Sequence, residues 1–181
     1  MKKMYFFVLL IGVLFGGLQN ASAKKSDEPQ NYKCSHEAGG IVFCLDEKGK
    51  PLTGKKTRTA NGQYASIESY VKGYRDGLTT FFDENGKQSE RVYFKQGIKN
   101  GMDKTYYPSG GVRVSSQYKN GLLHGQVEIY NDRGKLIGKM RYKNGMLEKG
   151  SCKNQDGKDE RFSAEFIAAQ PQNQIVNCGA L

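Results

Sequence analysis

Glycine returns with a fixed step through the middle of this chain. Gly73, Gly97, Gly121 and Gly145 lie 24 residues apart, and the series Gly77, Gly101, Gly125 and Gly86, Gly110, Gly134 keep the same step. Aromatic residues obey it too: Tyr70, Phe94, Tyr118 and Tyr142 form one column, and Phe82, Tyr106 and Tyr130 another. Three phased glycine series are hard to produce by chance. Such a period marks units that cannot bury a face alone and must stack on their neighbours.

Each unit holds two short runs divided by turn chemistry, as in GQVEIY, NDRG, KLIGKMRY and KNG from Gly125 to Gly145. Asn120-Gly121 and Asn144-Gly145, with Asn85-Gly86 at the other turn, supply the positive φ that tight hairpins need. Val92 and Phe94, Val112, Val114 and Tyr118, and Leu136, Met140 and Tyr142 share one parity, whereas Arg91, Arg113, Lys139 and Arg141 take the other. The expectation is an all-β chain: an elongated antiparallel meander of 24-residue hairpin repeats with one apolar and one charged face, and a small disulfide-stapled cap at each end. A chain of 181 residues with 23 glycines, 11 tyrosines and no tryptophan fits one small, turn-rich domain.

The period blurs at both ends. DEKGK at Asp46–Lys50 echoes DENGK at Asp83–Lys87 out of phase, while Asn61-Gly62 falls in phase, so residues 42–65 read as a degenerate opening unit. Four cysteines allow three pairings, and sequence proximity favours Cys34 with Cys44, around a possible Gly39-Gly40 turn, and Cys152 with Cys178. Zinc is disfavoured, since no C-x-x-C pair exists and only His36 lies near a cysteine. Phe162, Phe166 and Ile167 sit at helical spacing before Pro171, predicting a short helix over part of the apolar face; alternation of Phe162, Ala164, Phe166 and Ala168 also fits a strand. The repeat domain is placed at 34–152 and the C-terminal cap at 153–181.

Lys2 and Lys3 precede an apolar run from Met4 to Leu18, then Ala21-Ser22-Ala23, the pattern of a cleaved export signal spanning residues 1–23. The run is shorter than the roughly 20 residues a spanning helix needs, and no cysteine follows it to carry a lipid. A flexible segment, 24–33, would then lead into the repeats, and the protein would be periplasmic or secreted, without a transmembrane span. Cleavage would take the formal charge from +10 to +8. Outside the cytosol a basic chain with dispersed lysines points away from nucleic acid and toward a solvated surface, an anionic lipid or polymer, or an acidic protein.

No catalytic constellation is readable. His124 belongs to the column Asp76, Asn100, His124, Glu148, a polar slot before a turn glycine or, in the last unit, before Lys149, and no catalytic, metal or cofactor site is expected. Candidate partner-binding residues are Tyr106, Tyr118 and Tyr130, with the lysine column Lys95, Lys119 and Lys143.

Units such as YKNGLLHGQVEIYNDRGKL, YVKGYRDGLTTFFDENGKQ and FKQGIKNGMDKTYYPSGGV resemble the variant MORN repeats of bacterial proteins, over roughly residues 46–148. The likeness weakens at Pro108-Ser109-Gly110-Gly111, where the Asn-Gly turn is replaced, and at Lys149, where the second glycine is lost. It implies a sheet of hairpins used for binding, with antitoxin- or immunity-like relatives and membrane-associated scaffolds among its namesakes. The expected function is a non-enzymatic exported module for protein–protein interaction, in immunity or envelope assembly. The alternative is a binder of anionic lipid or cell-wall polymer.

Overall fold

The computed structural model describes residues 32–60 and 63–178. The expected export signal at 1–23, most of the expected segment 24–33, the Asn61-Gly62 pair and the last three residues of the expected C-terminal cap lie outside them. Strands β1 (Tyr32–His36) and β2 (Val42–Asp46) form the cysteine hairpin. The repeats follow as β3 (Gly54–Ala60), β4 (Gln63–Val71), β5 (Tyr74–Arg75), β6 (Gly77–Phe82), β7 (Gln88–Lys95), β8 (Ile98–Tyr106), β9 (Val112–Lys119), β10 (Leu122–Leu123), β11 (Gly125–Tyr130), β12 (Leu136–Lys143), β13 (Met146–Lys153) and β14 (Asp159–Arg161), then helix α1 (Ala164–Ala168). They make one antiparallel sheet, a meander from β4 through β14, with β3 paired to β4 and β2 to β5.

Two turn types alternate along it. At Lys72-Gly73, Gln96-Gly97, Asn120-Gly121 and Asn144-Gly145 both central residues have positive φ, 48° to 51° for the first and 80° to 89° for the glycine. These are type I′ turns, whose twist matches that of the flanking strands. Each turn glycine then donates its N–H to a carbonyl one unit back: Gly97 to Arg75, Gly121 to Lys99, Gly145 to Leu123. The glycine row is therefore the ladder that stacks unit on unit. At the opposite edge, Asp83 and Asn131 open four-residue turns, their Oδ1 accepting from the amides two and four residues on at 2.9–3.1 Å. Asp46–Gly49 and Asn154–Gly157 repeat the backbone pattern. Tyr107–Gly110 has no such side chain; instead the Tyr107 hydroxyl donates to the Tyr130 carbonyl at 2.8 Å.

The two ends dock on the glycine row from opposite directions. At the N-terminal end Phe43 lies over Gly73 and Ile41 over Gly97, so close that a Cβ at Gly73 would fall 2.2 Å from the Phe43 ring. At the other end Asn173 donates its N–H to Gly145 O and its amide group to Gly121 O, and accepts from Leu123 N–H. Disulfides Cys34–Cys44 and Cys152–Cys178 staple these two segments, in the expected pairing. Helix α1 is shorter than its apolar spacing allows because Asp159–Arg161 pairs with β13 as a strand first. Ser163 caps the helix by accepting from Phe166 N–H at 3.1 Å, and Phe162, Phe166 and Ile167 pack on the core as expected.

One face is buried, but it is not uniformly apolar. The register carries a row of inward residues across the sheet: Glu68, Thr79, Val92, Asp103, Ser116, Val127 and Met140, each 5% exposed or less. The expectation of a single apolar face fails in the first two units, where carboxylates occupy this row, and holds in the last two. There Leu123, Val127, Ile129, Met140, Tyr142 and Leu147 join Val176 and the Cys152–Cys178 bridge. The C-terminal segment is what makes the difference over the last two units, while at the N-terminal end the cysteine hairpin buries only a smaller apolar cluster of Cys44, Leu52 and Tyr70.

Candidate functional site

Ionised groups cluster at two places on the inner face, and both prove to be internally paired. Glu68 accepts from Ser66 at 2.6 Å, from the Tyr70 hydroxyl and from Arg75 Nε at 2.7 Å, with Arg58 Nε 3.5 Å away. Burial pushes the Glu68 carboxyl up, but the hydrogen bonds from Arg75, Ser66 and Tyr70 outweigh it and hold it below the ordinary carboxylate range. Burial, followed by the Glu68 contact, drives the Tyr70 phenol up to about 12. One unit on, Lys99 Nζ bridges Asp103 at 2.7 Å and Glu90 at 3.0 Å and lies over the Tyr118 ring, 5.3 Å from its centroid. Burial raises Asp103 here despite Lys99, and its Oδ1 finds no hydrogen-bond partner among the described residues. These networks pair most of the ionised groups of the inner face with one another.

His124 has a structural task. Its Nδ1 lies 3.3 Å from Asn144 Oδ1 and 3.4 Å from the Asn144 backbone N, and with the ring proton on Nε2 it accepts from that N–H, as Asn100 Oδ1 accepts from Asn120 N–H and Asp76 Oδ2 from Gln96 N–H, both at 3.3 Å. The polar column therefore caps the next type I′ turn in each of three units, and His124 is one of three interchangeable acceptors.

The outer face is where unpaired chemistry collects. A row fixed strand by strand runs Ile67, Thr80, Arg91, Lys104, Ser115, Glu128, Lys139, Ser151, Arg161. Beside it lie Leu78, paired with Tyr93, then Met102, paired with Gln117, and finally Gln126, Arg141 and Lys149. At the N-terminal half this surface exposes apolar side chains: Ile67 is 37% exposed, Tyr93 43% and Val71 47%. At the C-terminal half it turns cationic, around a groove of about 550 Å³ lined by Gln126, Lys139, Arg141, Lys149, Ser151 and Arg161, among others.

The candidate binding residues from sequence do not form one patch. Tyr118 lies on the inner face against Lys99 and the core. Tyr106 and Tyr130 sit at the four-residue-turn edge, each just past a register shift that follows Thr105 and Ile129; the Tyr130 hydroxyl donates to Glu128 of the outer face at 2.9 Å, which with partial burial raises its pKa. Lys95, Lys119 and Lys143 are exposed on that face but at the opposite, glycine-turn edge. Arg141, Lys149 and Arg161 were not legible as a cluster, because simple pairing around Asn144-Gly145 would set Glu148 opposite Arg141. A bulge after Tyr142 shifts the register and sets Lys149 there.

The family model described as MORN repeat variant matches residues 75–96, 99–120 and 123–144. No curated protein matches the chain. Among solved structures, the crystal structure of TarM is 16% identical over 73% of this chain and 21% of that one, with a TM-score of 0.26. A mutant of S. aureus TarM in complex with Fondaparinux, alpha-GlcNAc-glycerol and UDP is also 16% identical, over 72% and 21%, with a TM-score of 0.26. This chain spans about a fifth of the length of those proteins. The three matched segments follow the glycine-turn period observed in the sheet, so the matches of the MORN repeat variant model coincide with three consecutive units between residues 75 and 144.

Proposed function

We infer that this protein is an exported, non-enzymatic interaction module that docks another protein on the outer face of its sheet. MORN repeats are generally protein- or membrane-binding modules. The observation that carries the choice of protein is the exposed apolar area of Ile67, Val71 and Tyr93 on a strand surface facing away from the core. Removing such area from water is favourable by about 25 cal/mol per Å² before the costs of association are met, whereas a solvated polar face gains nothing comparable. Two disulfides are the bonds of an oxidising, extracytoplasmic compartment, and among the described residues no helix is long and apolar enough to cross a membrane. Together with the Lys-Lys start and Ala21-Ser22-Ala23, they support periplasmic or secreted placement, in immunity or envelope assembly. Each candidate catalytic group has another task, the cysteines as bridges and His124 as a turn cap.

A photo-crosslinker at Leu78 of the exported protein tests this. A stoichiometric protein partner at physiological salt is expected, lost in Ile67→Ser and Tyr93→Ser and kept in His124→Ala. Binding to anionic vesicles alone, abolished by salt, would replace this reading with the surface-binder alternative, and turnover of a substrate that depends on His124 would end it.

A further inference from the structure

The last unit departs from the other three by one residue, and that slip builds the cationic groove. In the earlier units the strand after a type I′ turn slips by two residues around Asp76-Gly77, Asn100-Gly101 and His124-Gly125, so that beyond the slip Thr80 faces Ile67, Asp103 faces Val92 and Glu128 faces Ser115. At Glu148-Lys149 the glycine is missing and the register shifts by one residue only. Lys149 therefore enters the outer row where a 24-residue step would put Gly150, and Gly150 enters the inner row opposite Met140. Both halves of the exchange are used. Inside, a Cβ on Gly150 would fall 2.7 Å from the Phe162 ring, so the glycine seats the C-terminal segment. Outside, Lys149 now stands directly across from Arg141.

Like charges directly opposite one another destabilise a sheet, and here the opposition is compounded. Lys139 shares a strand face with Arg141, and Arg161 lies across Ser151 from Lys139. Among the described residues the one ion pair these four cations make is Arg141 Nε with Glu148, at 3.6 Å and more than two-fifths exposed on both sides. Such a pair contributes little. The groove among them adds the amide of Gln126 and the hydroxyl of Ser151.

We propose that this groove binds an extended, acidic segment of a partner protein, with carboxylates on alternate residues. The inference rests on the protein-binding reading above but names a second site, at the far end of the same face. Lys139 and Arg141 repeat at two-residue spacing on one strand, about 6.7 Å, and a second extended chain presents alternate carboxylates with that same spacing. Arg141 and Arg161 supply planar forks that take a carboxylate in two parallel hydrogen bonds. The groove is open along the sheet, which suits a chain passing over it.

The test uses the full exported chain and a dye-labelled octapeptide of alternating glutamate and threonine, read by fluorescence anisotropy, with inorganic polyphosphate and phosphatidylglycerol vesicles as parallel arms. Saturable one-to-one binding of the peptide is expected, weakened about tenfold by Arg141→Gln and by Lys149→Thr, with amide shifts centred on residues 139–141 and 149–151. Tyr93→Ser should leave the peptide affinity unchanged while losing the crosslinked partner, which separates failure of the groove from failure of the apolar docking face. The thermal midpoint of Lys149→Thr should equal or exceed that of the unsubstituted protein, because a like-charge opposition is relieved. Absence of saturable peptide binding, binding undiminished in both variants, tighter binding of polyphosphate or vesicles through the same residues, or a lowered midpoint for Lys149→Thr would each overturn the proposal.

Discussion

The same column of the repeat is occupied by Arg75, Lys99, Leu123 and Leu147, and the change of chemistry halfway along it divides the molecule. In the first two units inward positions are filled by ions, with Glu68 between Arg58 and Arg75, and Lys99 between Glu90 and Asp103. In the last two they are filled by hydrocarbon packed under the C-terminal segment. Beyond the small Cys44–Leu52–Tyr70 cluster under the cysteine hairpin, this half of the sheet has no second wall to bury apolar groups against, so charged side chains long enough to fold over one another cover it instead. Where residues 162–178 supply the wall, apolar packing takes over. The outer face exposes Ile67, Val71 and Tyr93 beside Arg91 and Lys104 at the ionic end, and gathers Lys139, Arg141, Lys149 and Arg161, with exposed Met146 at the turn edge, at the apolar end.

Truncation should hurt the two halves by different mechanisms. Leu123 is fully buried in the apolar half, and Leu123→Ala should cost about 3 to 4 kcal/mol in chemical denaturation. A loss under 1 kcal/mol, on the same scale as surface changes, would show that the C-terminal segment does not pack as a wall. The equivalent swap in the ionic half is more instructive. Lys99→Leu leaves Asp103, only 5% exposed, without its ion partner and should cost about 2 kcal/mol, less than for a fully enclosed pair because Lys99 is partly open to water. Adding Asp103→Val, which copies Val127 one unit on, should restore stability to within about 1 kcal/mol. If the double variant is no better than the single one, the two halves are not interchangeable solutions of one architecture.

Acid provides a smaller discriminator within the ionic half. The Glu68 carboxyl lies below its unfolded value, so its ionisation contributes stability that is present above the ordinary carboxylate range and lost as pH falls through the depressed folded value. Asp103 lies above its unfolded value, so its contribution is present at low pH and lost as pH rises through the raised folded value. The stability difference between wild type and Glu68→Gln should therefore grow with rising pH across the acid range, while that between wild type and Asp103→Asn should shrink or change sign. Thermal midpoints measured from acid to neutral pH decide it. Parallel slopes for the two variants would mean that the networks do not differ as described.

The period was sufficient to place the strands and the positive-φ glycines, because those depend on backbone geometry repeated in every unit, whereas the disulfides in the end segments followed from sequence proximity. What differs between units was harder to read. Glu68, Val92, Ser116 and Met140 share a column, yet which of them needs a charged neighbour depends on whether residues 162–178 reach that unit, a contact made over long sequence separation. The alternation of Phe162 through Ala168 was equally ambiguous, since Asp159–Arg161 pairs as a strand before Ser163 caps a helix. The cationic groove was hidden for a local reason: counting outward from Asn144-Gly145 sets Glu148 against Arg141, and only the bulge moves Lys149 into that place.

The smallest expected effect concerns the residue most easily mistaken for chemistry. His124 occupies the boundary between the two halves and caps the Asn144-Gly145 turn with Nδ1, a task that Asn100 performs with an amide oxygen one unit earlier. His124→Asn retains an acceptor and should change stability by less than about 0.5 kcal/mol. His124→Leu removes the acceptor while keeping bulk and should cost about 0.5 to 1.5 kcal/mol, the usual net value of one hydrogen bond. Gly121→Val should exceed both, because φ of 80° at that turn excludes a β-branched residue and its Cβ would press within 3.1 Å of Ile98. The ordering Gly121→Val, His124→Leu, His124→Asn is the expected result in urea unfolding. A His124→Asn variant that loses stability as badly as His124→Leu would show that the ring does more than accept one hydrogen bond, and would remove the equivalence of units on which the comparison of the two halves depends.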